Sequence, residues 1–209
     1  MKPAALGLRA HSGWAALVVL AGSVDAPYPV RRSRIELIGK GTPKQPYHAA
    51  ELLALAEAKQ LIDHSISESR RLAAQALRQM AEELAQEGYQ TAAGALLTSS
   101  ARPLPELASV LASHALIHSA EGDLFREALA FGAQAWGIEL RRIREKDLLT
   151  AAEAQLGRPG KQLQANIDKM RQEIGPPWAA DQKLAALAAW IALGHFRPGR
   201  FSATSTREG

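Results

Sequence analysis

The stretch that decides the fold is residues 2–38, KPAALGLRAHSGWAALVVLAGSVDAPYPVRRSRIELI. It holds three short apolar runs, which we predict to be strands at Ala4–Arg9, Trp14–Ala21 and Pro29–Ile38. Gly13 supplies the permissive backbone of a turn between the first two. The second run is continuously apolar, which is typical of a strand buried on both faces. Because the connections are short, the three strands are expected to form an antiparallel meander.

After residue 38 the chain alternates between helical and strand patterns. We predict a helical segment in one or two pieces at Tyr47–Glu87, a strand at Thr91–Thr98 and a helix at Pro103–Gly137. A strand at Ile138–Arg144 and a final helix at Trp178–Leu193 follow. This order predicts an α/β fold with a mixed five-stranded sheet, three strands in the meander and two parallel, flanked by helices. We expect a single domain over residues 1–195, followed by a polar tail at 196–209.

Composition excludes several classes of protein. The 209 residues contain no cysteine, which rules out disulfides and cysteine-bound zinc and fits a cytoplasmic location. No apolar stretch of about 20 residues is present, so no membrane span is expected. The net charge of +4 is compatible with anionic partners without demanding nucleic acid.

The run Trp14–Gly22, followed by Val24-Asp25-Ala26, also resembles a signal peptide with its cleavage site, which is an alternative to the second strand.

Two pieces of the chain carry a resemblance to a known family. Residues 176–185, PPWAADQKLA, resemble the last helix of the Holliday-junction resolvases, a branch of the ribonuclease H-like superfamily, and residues 6–15, LGLRAHSGWA, are similar to its first hairpin. The order of elements extends the resemblance over most of the chain. It implies a ribonuclease H-like fold and, in the family, two Mg²⁺ ions held by carboxylates for attack on phosphate.

The family's carboxylates are mostly missing here. The resemblance would place an Asp at the end of the first strand, a Glu on the fourth strand and an Asp on the last helix. This chain has Arg9-Ala10-His11 at the first place and Thr98-Ser99-Ser100 at the second, and only Asp181 matches. One carboxylate cannot hold two hard divalent cations, so lost or altered nuclease activity is expected. The sequence assigns no cofactor.

The same strand ends suggest an anion site instead. If the first and fourth strands lie side by side, their ends meet near the helix start at Pro103, and the candidate residues are Arg9, His11, Ser12, Ser99, Ser100, Arg102 and Asp181. Guanidinium groups, hydroxyls and a helix N-terminus are suited to nucleic acid or another phosphate-bearing ligand. The alternative is that these are ordinary strand-end and turn residues.

A second constellation could bind a metal. His114, His118 and Glu121 fall at i, i+4 and i+7, so on a continuous helix they share one face, with His64 and Glu127 as further candidate ligands. An exposed or interface stripe is the alternative. A new helix beginning at Ser119 would separate the histidines from Glu121.

Two groups of arginines lie on the third and fifth predicted strands, Arg31, Arg32, Arg34 and Arg141, Arg142, Arg144. They could block pairing at the sheet edges or form a nucleic-acid surface.

Three functions stay open at this point. The first is an atypical ribonuclease H-like domain that binds an anionic or nucleic-acid ligand. The second is a hydrolase using His11 or the His114/His118 pair. The third is a structural partner domain, for instance a homodimer, that docks through Tyr47–Glu87.

Overall fold

The computed structural model describes residues 1–99 and 103–195, and its centre is one five-stranded sheet. The strands are β1 Lys2–His11, β2 Trp14–Gly22, β3 Pro27–Glu36, β4 Tyr89–Thr98 and β5 Glu139–Arg144. They lie in the order β3-β2-β1-β4-β5. The β1–β2 and β2–β3 pairs are antiparallel, and β4 runs parallel to both β1 and β5. The predicted α/β fold with a meander and two parallel strands is confirmed. The predicted tail at 196–209 lies outside the described residues.

Eight helices accompany the sheet within the described residues. They are α1 Pro46–Ala50, α2 Leu55–Gln86, α3 Leu107–Leu111, α4 His114–Ala135, α5 Leu148–Leu156, α6 Gly160–Lys169, α7 Arg171–Ile174 and α8 Ala180–Leu193, with a 3₁₀ turn at Glu145–Asp147 before α5. None of the helices in these ranges is long and apolar enough to cross a membrane.

The segment predicted as a helix at Pro103–Gly137 differs from the prediction. The continuous helix expected from Pro103 is wrong, because the chain forms the short α3 and then starts again at His114. A new helix at Ser119 is also wrong. The Ser119 hydroxyl donates to the Ala115 carbonyl at 3.0 Å, and α4 continues through this point. His114, His118 and Glu121 therefore do lie on one uninterrupted helix.

The sheet has a hydrophobic core on each face. Helices α2 and α4 pack on one face, and α5, α6 and α8 pack on the other. Side chains alternate along β1, so Leu6 and Leu8 enter the α2/α4 core while Ala5 enters the α8 core. Gly7 lies directly beneath α8, where a Cβ would stand 1.8 Å from the carbonyl oxygen of Ala185. A residue without a side chain at this position lets α8 cross β1 in close contact.

The edge strands are β3 and β5, the two strands that carry the arginine groups. Several of these arginines contact carboxylates of neighbouring elements. Arg31 pairs with Glu83 and Glu87 of the α2 region, and Arg142 donates to Glu127 of α4 at 2.8 Å. Because these arginines are paired with carboxylates, the structure favours the interpretation that they block strand pairing at the sheet edges over the interpretation that they form a nucleic-acid surface.

Candidate functional site

The candidate site lies where the parallel strands β1, β4 and β5 end. Because these strands run in the same direction, their carboxyl ends meet at one edge of the sheet, with Arg9 opposite Leu97 and Thr98 opposite Arg144. The alternation along β1 turns Arg9 to the side covered by α8. The first turn of α8 carries Asp181 to the same place.

The Arg9 guanidinium is clamped between two carboxylates. Its Nε and Nη2 donate to the two carboxylate oxygens of Glu145, each at 2.9 Å, and its Nη1 donates to Asp181. The salt bridge with Glu145 is bidentate, which is the strongest arrangement of an arginine and a carboxylate. The Arg9 side chain is 22% exposed. The hydrogen bond to Glu145, with the charges of Glu145 and Asp181, raises the pKa of Arg9 above its ordinary value, so Arg9 remains cationic.

His11 belongs to the same cluster. Its Nε2 lies 2.9 Å from both the Asp181 Oδ1 and the Arg9 Nη1. The imidazole stacks on Trp14 across the β1–β2 hairpin, with ring centroids 4.3 Å apart and planes at 9°. The Arg34 guanidinium also lies over the Trp14 ring, 3.9 Å from its centroid. A chain of contacts thus extends from Asp181 to the edge strand β3.

These residues do not fit a pair of Mg²⁺ ions. The place at the end of β1, where the family resemblance implies an Asp, holds a guanidinium that already bonds the carboxylates of Glu145 and Asp181. A divalent cation there would face a fixed positive charge and compete for both carboxylates. The loss or alteration of nuclease activity that the missing carboxylates predicted stays a prediction.

The other predicted anion ligands are distributed differently. Ser12 lies in the turn between β1 and β2, while the Ser99 hydroxyl accepts a hydrogen bond from the Arg126 Nη2 of α4 at 3.0 Å. Ser100 and Arg102 lie outside the described residues. An anion that used Arg9 would have to compete with Glu145 and Asp181, so the expected constellation is not an open cationic pocket around Arg9. Anion binding at this edge stays a prediction.

Glu145 is the member of this cluster that the sequence reasoning missed. It follows β5 directly, in the 3₁₀ turn that leads to α5. The available signal was its place at the end of a parallel strand next to β4, because neighbouring parallel strands end at a common edge.

A separate cluster of histidines lies on the other side of the sheet, between α1 and α4. The Nε2 atoms of His114 and His118 are 3.0 Å apart, and ring nitrogens of His48, His114 and His118 all lie within 4.8 Å of one another. His48 was missed by the sequence reasoning because it belongs to a short helix remote along the chain. Among the described residues, His64 and Glu127 do not join this group.

Glu121 has a different place from the one its spacing predicted. Its Oε2 lies 3.0 Å from the His48 Nδ1 and accepts from the backbone N–H groups of Tyr47 at 3.2 Å and His48 at 3.4 Å. The residue is 2% exposed, and this burial raises the pKa of Glu121. Glu121 therefore contacts His48 and is not one of the converging groups. The two members of the cluster that belong to α4 are His114 and His118.

Comparison with known proteins identifies the fold. No family model matches the chain, and no curated protein matches it in sequence. Among solved structures, RuvC from Thermus thermophilus in complex with Holliday junction substrate is 10% identical with a TM-score of 0.51, covering 90% of this chain and 90% of that chain. A second Thermus thermophilus RuvC structure is 9% identical with a TM-score of 0.52, covering 90% and 92%. At this level of identity the likeness concerns the fold, and it confirms the ribonuclease H-like architecture that the sequence predicted.

Proposed function

We propose that this chain is an atypical ribonuclease H-like domain, spanning residues 1–195, which binds nucleic acid without two-metal cleavage. The observation that carries the proposal is the Arg9 guanidinium held by Glu145 and Asp181 at the end of β1. In a two-metal nuclease the ions activate water and stabilise the leaving oxygen. A guanidinium stabilises negative charge, but it does not coordinate water and so does not lower its pKa as a bound metal does.

Support for a nucleic-acid ligand comes from the fold and the charge. One structural neighbour is a complex with Holliday junction substrate, and this chain is basic, with a net charge of +4. Lys40 and Lys44 are exposed in the loop after β3. The Lys44 Cβ lies 3.5 Å from the point where a Cβ of Gly13 would stand, so the loop adjoins the β1–β2 turn. Lysines at this edge, with the hydroxyls of Ser12 and Ser99, provide donors for phosphate groups.

Binding to a fluorescent four-way DNA junction, measured by anisotropy over a range of salt concentrations, tests this proposal. The double variant Lys40→Ala/Lys44→Ala should weaken binding about tenfold, or ~1.4 kcal/mol. The slope of log K against log salt should fall by about 1.8, because each lost phosphate contact removes about 0.9.

The matched control is Lys161→Ala/Lys169→Ala, which removes two exposed lysines from α6 and the same total charge. It should bind nearly as well as the unchanged chain. Equal losses from both pairs would mean diffuse surface attraction, which contradicts a binding edge at the strand ends. Absence of binding to junction, duplex and single strand alike would overturn the proposal.

A further inference from the structure

We propose that His48, His114 and His118 bind one transition-metal ion, with Zn²⁺ the best fit, and that Glu121 positions His48 for this purpose. This site is separate from the Arg9 cluster, because it lies on the α2/α4 side of the sheet while Arg9 faces α8. It is also independent of nucleic-acid binding. Within the described residues, it is the one group of three or more side chains of ligand type whose donor atoms converge.

The spacing of the nitrogens suits a metal. A zinc–nitrogen bond of 2.0–2.1 Å and a tetrahedral angle place two ligand nitrogens about 3.3 Å apart. The Nε2 atoms of His114 and His118 are 3.0 Å apart, with the rings at 80° to each other. The His48 ring centroid lies 4.7 Å from that of His118 and 5.6 Å from that of His114. His114 and His118 are exposed, so their side chains have room to rotate toward an ion shared with His48.

The third ligand is held in place by a buried carboxylate. Glu121 is fixed by the backbone N–H groups of Tyr47 and His48, and its Oε2 faces the His48 Nδ1 at 3.0 Å. When Nδ1–H donates to this oxygen, the Nε2 of His48 keeps its lone pair for a metal. A carboxylate that orients a ligating histidine through its other nitrogen is the usual support of such ligands. The second oxygen of Glu121 is buried and has no hydrogen-bond partner among the described residues.

The chemistry of the donors selects the kind of ion. Three imidazoles suit Zn²⁺, Cu²⁺, Ni²⁺ and Co²⁺, whereas Mg²⁺ and Ca²⁺ prefer oxygen ligands. A metal bound to the Nε2 of His48 would also bring positive charge close to the buried carboxylate of Glu121, which contacts the Nδ1 of the same ring. Three protein ligands leave the fourth tetrahedral position open to water, and the exposure of His114 and His118 gives an ion access from solvent.

Zinc binding to the tag-free chain, stripped of metal and measured in competition with a chromophoric chelator, tests the proposal. We expect one ion per chain. His118→Ala, which removes a ligand, should lose most of the affinity. Glu121→Gln, which keeps all three ligands, should weaken binding about 10–100-fold. The visible spectrum of the Co²⁺ form should be that of a tetrahedral nitrogen site, altered in His118→Ala and kept in Glu121→Gln.

His64→Ala is the control, because His64 is an exposed histidine of α2 outside the cluster. It should bind Zn²⁺ as the unchanged chain does. His118 is exposed, so its alanine variant should keep the native circular dichroism spectrum, which separates loss of binding from loss of fold. Zinc binding that is absent in the unchanged chain, or equally strong in His118→Ala, would overturn the proposal.

Discussion

Replacing Gly7 with alanine is expected to lower the free energy of unfolding by about 4 kcal/mol or more. Extra atoms in a packed core usually cost about 1–3 kcal/mol of stability. The loss at Gly7 is expected to exceed this range because of the atoms that surround it. The new Cβ would stand 1.8 Å from the Ala185 carbonyl oxygen and 2.8 Å from the Ala189 nitrogen. These are backbone atoms of α8, which cannot rotate away as a side chain can. The helix would have to move off β1, and its buried residues would lose their contacts.

Urea unfolding of Gly7→Ala beside Gly122→Ala measures this effect. Gly122 is the matched control, because the atoms nearest to a Cβ there belong to the guanidinium of Arg126, the far end of a flexible side chain. Its position inside α4 favours alanine by up to about 1 kcal/mol, which offsets the cost of shifting the Arg126 guanidinium from Asp123 and Ser99, so the net change should be small. A Gly7→Ala protein within about 1 kcal/mol of the unchanged chain would contradict the close crossing of α8 over β1.

The second large effect is expected at Arg9. In the presence of a chelator, Arg9→Asp should lose about 3 kcal/mol of stability. It removes the charge-assisted hydrogen bonds to Glu145 and Asp181, each worth ~1.5–3 kcal/mol before solvent screening, and leaves three carboxylates together. Millimolar Mg²⁺ should then restore part of the loss, because three carboxylates form a hard oxygen site. At a concentration of 100 times Kd the recovery is about 2.7 kcal/mol.

Unfolding midpoints with and without Mg²⁺ give this result directly. Arg9→Gln serves as the control, since it removes the same positive charge without adding a carboxylate. It should be destabilised and respond to Mg²⁺ less than Arg9→Asp. If Mg²⁺ stabilises the unchanged chain as strongly as it stabilises Arg9→Asp, the guanidinium does not replace a metal at this edge.

The fold was largely predictable because its signals are local. Continuous apolar character over Trp14–Ala21 and short turns on either side predict a central strand of a meander, and this strand is β2. The break before α4 was not predictable in the same way. The backbone turns to an extended conformation at Ser113, with φ −136° and ψ 111°, although neither Gly nor Pro marks the place. The helical pattern continues on both sides, so periodicity alone reads it as one helix.

The candidate sites were predictable only in part, for a physical reason. Arg9 and His11 could be placed at one edge because strand order defines which ends meet, and the family resemblance implied that Asp181 lies at the same place. The end of β5 indicated only that Glu145 lies near this edge, because its contact with Arg9, 136 residues away, depends on where the turn after β5 packs. His48 is 73 residues from Glu121 and reaches it only because α1 packs on α4. Contacts of this kind are set by tertiary packing and leave no spacing in the sequence.

The central proposal is that this domain binds nucleic acid, without two-metal cleavage, at the strand-end edge where Arg9 lies between Glu145 and Asp181. The most direct test incubates a labelled four-way DNA junction with the chain in Mg²⁺ or Mn²⁺ and follows complexes on native gels and strand breaks on denaturing gels. The prediction is a complex that weakens steeply with salt and strands that stay intact. Metal-dependent strand cleavage that disappears in Asp181→Asn would contradict the claim.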